Sequence, residues 1–257
     1  MSGIELRLNM ASYKDNVDMI VSTLEAAFNK SNNTLPFWDR VVKILPEIDG
    51  KIHANTTPHE MKKIVGSILQ NHYENEKDFI QLSIKEKSHL LNEQVLSCVQ
   101  EMFRLFSLEC RNDFTINCYV GFFNPFPRDV IGRNYYIHYN VANDIFVKSS
   151  LHEINHMVLF EKWKSIHGYL EKKQPEFPHP LWYLEELSIE PMLNTESIYR
   201  LAPFKHVTYD SFYQTIIEGK TLPYIIQEIY DKSSSIEEYL DNAYNFLERK
   251  ISDGLIK

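Results

Sequence analysis

Phe114-Thr-Ile-Asn-Cys-Tyr-Val-Gly-Phe122 is the stretch where the hydrophobic period of this chain changes. Phe114, Ile116, Cys118, Val120 and Phe122 fall on every second position, the spacing of a strand with one buried face. Upstream, apolar residues instead recur three and four apart, as on the buried face of a helix. Val17, Ile20, Val21, Leu24 and Phe28 make one such stripe; Leu91, Val95, Cys98, Val99, Met102, Phe103 and Phe106 make another. Between them, Thr57-Pro58-His59-Glu60 reads as a helix start, with a capping threonine, proline at the first helical position and a glutamate able to close a capping box. Met61, Ile64, Val65, Ile68 and Leu69 then give that helix its apolar face. The sequence therefore predicts an almost wholly helical N-terminal region over residues 1–112 and a mixed region over 113–257.

Downstream, Asn124-Pro125-Phe126-Pro127 ends the first strand, because proline cannot donate to a ladder. Asn134 to Asn140 alternates again and predicts a second strand, with Tyr136, His138 and Asn140 on one face. Asn143-Asp144 can cap a helix from Ile145 to His167, stopped at Gly168. A proline-punctuated loop from Gln174 to Pro180 follows, and a last helix over 235–251 carries Ile236, Leu240, Tyr244 and Leu247. The expected class is α+β, predominantly helical, with a small antiparallel or mixed sheet.

Composition agrees. Of 257 residues, 44% are apolar and 24% charged, which excludes a disordered chain or a disulfide-held miniprotein. Only 8 are glycine, about 3% against a usual level near 7%, as suits a helical protein. The net charge of −8 and a pI of 5.7 give no basic stripe for nucleic acid or for an anionic membrane surface. Three cysteines (Cys98, Cys110, Cys118) are too few and too odd in number for a disulfide framework, which favours a reducing compartment. The N-terminus lacks the pattern of a signal peptide, and no apolar run approaches the roughly 20 residues of a membrane span. A cytoplasmic location is expected. Nothing here sets the oligomeric state.

Inside the predicted 145–167 helix lies His152-Glu153-Ile154-Asn155-His156. Histidines four apart stack on one helix face, so both imidazoles can reach one metal ion. Glu153 projects from a neighbouring angle, where a carboxylate can take a proton from water held by that ion. A third ligand is needed. The pattern with glycine three and histidine six residues after the second histidine fails, since those positions are Leu159 and Lys162. Pro180-Leu-Trp-Tyr-Leu-Glu185-Glu186-Leu-Ser188 supplies glutamates on a helix opened by proline. Helical neighbours point about 100° apart, so only one of the two carboxylates can face the histidines.

These residues resemble the gluzincin branch of the zinc metallopeptidases, over about residues 134 to 190. Trp182-Tyr-Leu-Glu185-Glu-Leu-Ser188 is similar to that family's Trp-Leu-x-Glu-Gly-x-Ala segment. The resemblance implies a zincin-like core, one Zn²⁺ per chain held by His152, His156 and Glu185 (Glu186 being the alternative), and Glu153 as general base. It implies hydrolysis of a peptide or protein substrate. His206, Tyr209 and Tyr213 are candidates to stabilise the oxyanion, and Glu190 to orient a histidine. His179 lies in the loop before the ligand segment, and Pro191 should kink or end the ligand helix. A strand just before the motif helix pairs with substrate in such folds, which makes Tyr136 and His138 candidate substrate contacts on an edge strand. The rival readings are a zinc amide or ester hydrolase and a non-catalytic interaction protein that keeps the fold.

Overall fold

The computed structural model describes residues 3–28, 35–109, 114–123 and 127–256; Cys110 and the expected turn at 124–126 lie outside the described residues. The chain is α+β and mostly helical, as the change of period predicts. Its contacts gather into two compact units, each discontinuous in sequence: residues 1–5, 93–114 and 147–257 form one, and 6–92 with 115–146 the other.

The second of these units holds most of the sheet and three of the helices: α1 (Tyr13–Phe28), α2 (Leu35–Ile44) and α3 (Pro58–Leu90). Helix α3 starts where the capping box places it. Thr57 Oγ1 accepts the Glu60 N–H at 3.3 Å, and the Glu60 carboxylate accepts the Thr57 N–H at 2.9 Å. Such a cap contributes about 1 kcal/mol. The stripes predicted as buried faces of α1 and α3 meet: Val17, Ile20 and Leu24 share a core with Met61, Val65 and Leu69.

One expectation fails at the start. The N-terminal region is not wholly helical, because Ile4–Met10 forms strand β1. With β2 (Phe114–Gly121), β3 (Arg128–Asp129) and β4 (Asn134–His138) it makes a four-stranded sheet in the order β1-β2-β4-β3. Strands β2 and β4 are parallel, with Cys118 opposite Tyr135 and Val120 opposite Ile137, while β3 and β4 are antiparallel. The sheet is therefore mixed. In β2, Phe114, Ile116, Cys118 and Val120 are buried, as the alternation requires. The expectation that β4 is an edge is corrected. The chain returning from β2 runs antiparallel along its outer side, pairing Asp129 with Asn134 and Arg128 with Tyr135, and the Pro127 carbonyl accepts the Tyr136 N–H at 2.9 Å.

The other unit is mostly helical; besides the ends of β1 and β2 it holds the small hairpin of β5 (Ile216–Ile217) and β6 (Lys220–Thr221). It contains α4 (Leu96–Leu105), most of α5 (Asn143–His167), α6 (Pro180–Leu187), α7 (Ile189–Leu193), α8 (Glu196–Tyr199), α9 (Asp210–Gln214), α10 (Leu222–Lys232) and α11 (Ile236–Ser252). Helix α11 packs on α6 and α10. Its buried Ile236, Tyr239, Leu240, Ala243 and Leu247 supply that face. Pro191 does not end a helix at Glu190. The break comes earlier, at Ser188, and Pro191 sits in the first turn of α7, where a backbone N–H would lack a helical partner anyway. No helix among the described residues is long and apolar enough to cross a membrane.

Candidate metal centre

Helix α5 has almost no solvent face across its middle. Every residue from 151 to 160 is buried except His152, which is partly exposed. A helix surrounded in this way leaves its polar residues no water to turn to. Yet it carries Ser150, Glu153, Asn155, His156 and Lys162 in buried positions. Lys162 is answered by an ion pair with Glu237 of α11. The Asn155 amide is fully buried, and neither its nitrogen nor its oxygen has a hydrogen-bond partner among the described residues.

The two motif histidines stack as helix geometry requires, with ring centroids 4.7 Å apart and planes at 85°. Facing them is α6. His179 sits just before it as a cap, its Nδ1 accepting the Leu181 N–H at 3.1 Å, and Pro180 takes the first helical position. This gives His179 a local structural role. Both glutamates of α6 are buried, but they address the histidines differently. Glu186 meets the Nε2 atoms of both rings: its Oε2 lies 3.7 Å from His152 and its Oε1 3.9 Å from His156. Glu185 meets the other side of one ring, with its Oε2 3.2 Å from His156 Nδ1.

One donor atom from each of His152, His156 and Glu186 lies within 4.8 Å of the others, so these three residues could hold a metal ion. The geometry thus takes the expected alternative, Glu186, into the group and sets Glu185 behind His156. The physical reason is the helical step of about 100°. With Glu186 turned to the shared side, its neighbour must point elsewhere, and here it reaches the outer nitrogen of His156. Two imidazoles and one carboxylate suit zinc in a three-ligand site that leaves a position open. A carboxylate on the far nitrogen of a ligating histidine fixes the ring's tautomer and orientation. Glu153 is 8% exposed on α5, beside His152 in sequence.

The remaining candidates fall into other clusters. Glu190 accepts the Tyr213 hydroxyl and, at 3.4 Å, the Val207 N–H, and His206 stacks on Tyr213 with centroids 4.6 Å apart. Burial and the Glu190 charge push the Tyr213 hydroxyl pKa well above its usual value. Tyr209 joins an aromatic group with Trp182, at 5.1 Å, and Phe212, at 5.5 Å. Tyr136 and His138 belong to the unit that holds the sheet. There Tyr136 stacks on Tyr119 at 5.2 Å, and His138 Nδ1 accepts the Asn140 N–H at 3.1 Å.

Two features escaped the sequence reading. Asn155 lies inside the motif, at a position whose residue type the metal-binding spacing does not specify. Ser188 hydrogen-bonds to Tyr239 of α11 at 2.7 Å and donates to the Leu184 carbonyl at 2.6 Å, tying the end of α6 to its neighbour. The tyrosine of that pair comes from a stripe readable only as packing. Comparison with protein families, with curated proteins and with solved structures returns no match for this chain.

Proposed function

We propose that this protein is a zinc-dependent hydrolase acting on peptide bonds. The observation that carries the reading is the enclosed group of His152, His156 and Glu186, with a buried glutamate, Glu153, between the two histidines in sequence. In this reading His152, His156 and Glu186 hold one zinc ion per chain, and Glu185 orients His156 through Nδ1. When bound, zinc supplies an electrophile that acidifies water and polarises a carbonyl. Glu153 accepts the proton released by the attacking water and returns it to the leaving amine. The enclosed walls of α5 strengthen every charge interaction in the site by excluding water. A peptide or protein is the proposed substrate.

The test is elemental analysis joined to turnover. Protein purified without added zinc is expected to carry about one equivalent, and His152→Ala or His156→Ala to lose it. Glu153→Gln should keep the metal and the fold yet stop hydrolysis of a mixed peptide library, since an amide cannot take the proton. Absence of stoichiometric metal after reconstitution ends the reading. Metal binding without cleavage of peptides, amides or esters would leave a metal-holding interaction protein.

A further inference from the structure

The second half of α3 and the residues that follow β4 line a groove of about 510 Å³, all of it within the unit that holds the sheet. That volume lies in the range of small-molecule sites. Glu76, Phe79, Ser83, Glu86 and Lys87 come from one face of α3, at helical three-and-four spacing, and Tyr139 comes from the far wall.

Lys87 sets the groove apart. It is only 3% exposed, and lysines are almost never buried without a partner of opposite charge. Its Nζ donates to Ser83 Oγ at 2.8 Å and lies 5.9 Å from the centre of the Phe146 ring. The Ser83 hydroxyl is itself committed, donating to the Tyr139 carbonyl at 2.5 Å. Among the described residues no carboxylate oxygen lies within 4.0 Å of the Lys87 ammonium. Burial holds its pKa below the ordinary lysine value. A buried ammonium with three hydrogens and one acceptor is incomplete, and an anion entering the groove would complete it.

The same groove carries negative charge. Glu76 accepts the Tyr139 hydroxyl and contacts His72 at 2.6 Å, so it is engaged. Glu86 is exposed and accepts from Asn143 Nδ2 at 2.6 Å through one oxygen. The Glu86 carboxylate, borne on the residue next to Lys87, disfavours a dianion such as phosphate. Beside them, Phe79 is 67% exposed and Leu82 65% exposed, a small apolar surface along the same helix. A buried cation, an available carboxylate and an apolar strip are the complement of a zwitterion with an apolar side chain.

We propose that this groove is a ligand site for a small amino carboxylate, the chemistry of a free apolar amino acid. The ligand's carboxylate takes hydrogens from Lys87 Nζ, its ammonium faces Glu86, and its side chain lies along Phe79 and Leu82. None of these residues belongs to the metal group, and the proposal stands or falls apart from the hydrolase reading.

Calorimetric titration of the full chain at fixed ionic strength tests it, with leucine, acetate, butylamine and inorganic phosphate as probes. Leucine is expected to bind saturably and at least about tenfold more tightly than acetate, the equivalent of one added charge pair. Butylamine and phosphate should not bind. Lys87→Met, which keeps the stem and removes the charge, should abolish leucine binding. Glu86→Gln lies on an exposed position and tests the site even if the lysine variant fails to fold; it should weaken leucine about tenfold and leave acetate unchanged. No saturable leucine signal, leucine binding that survives Lys87→Met in a folded protein, or equal affinity for leucine and acetate each overturns the proposal.

Discussion

Helices α3 and α5 are the two longest among the described residues, at 33 and 25 residues, and they treat polar side chains in opposite ways. In the first half of α3 the buried positions form a stripe through Met61, Val65, Ile68 and Leu69, while Glu60, Lys62 and Lys63 keep to water on the other side. Burial in that half follows from amphipathic pattern alone. In α5 the middle is enclosed on nearly every side and no stripe exists, yet Glu153, Asn155 and His156 lie inside with Leu151, Ile154 and Val158. Placing a charged group in such surroundings is costly unless something answers it. A patterned helix is explained by packing; an unpatterned one full of buried polar groups needs a ligand or a partner network as well.

The sharpest way to break this contrast is at the two carboxylates that answer α5. Glu186→Gln removes a proposed ligand, and Glu185→Gln removes only the group behind His156. Loss of such an orienting partner costs about 10–100-fold in metal affinity, and Glu186→Gln is expected to cost more. Competition with a chromophoric chelator measures both. The reverse ranking would return the ligand role to Glu185.

Packing gives the next effect. Ile154 on α5 is fully buried, and Ile154→Ala should lower stability by about 2–5 kcal/mol. Leu82 on α3 is 65% exposed, and Leu82→Ala should change it by less than about 0.5 kcal/mol. Urea denaturation of the two variants checks the pair; equal losses would mean that α5 is not enclosed.

A smaller effect compares imidazoles. His138, in the unit that contains α3, belongs to no metal-binding group among the described residues, and burial holds its pKa down at about 4 against an ordinary 6.5. The folded protein thus keeps it neutral where the unfolded chain takes up a proton. Its contribution to stability is full above pH 6.5, falls as pH drops through that value, and levels off near 4. The full loss amounts to about 3 kcal/mol. Urea midpoints at pH 7 and pH 4.5 should therefore differ less in His138→Gln than in the parent chain, and equal pH dependence would refute the assignment.

Much of the scaffold was legible because local chemistry and global packing agree. The Thr57 cap, the alternation of Phe114 to Val120 and the proline at 180 each specify an element that forms where expected. Strand β1 was legible too, since Ile4, Leu6, Leu8 and Met10 alternate with Glu5, Arg7 and Asn9. The covering of β4 was not legible, because β3 is two residues long and carries no period. At the site, the helical spacing of His152 and His156 fixes their stacking, whereas the choice between Glu185 and Glu186 depends on the rotation of α6 about its axis. That rotation is set by packing against α11, to which no motif in the α6 segment refers.

The interleaving of the two units has a consequence for the order of events during synthesis. All residues of the unit built on the sheet have been made once the ribosome passes position 146. The metal group is different, because α6 rests on α11 and Ser188 on Tyr239, so its carboxylate cannot be held in place until the last long helix emerges. A nascent chain therefore exposes its two histidines well before it can enclose them, and the candidate metal group is among the last features of the molecule to mature.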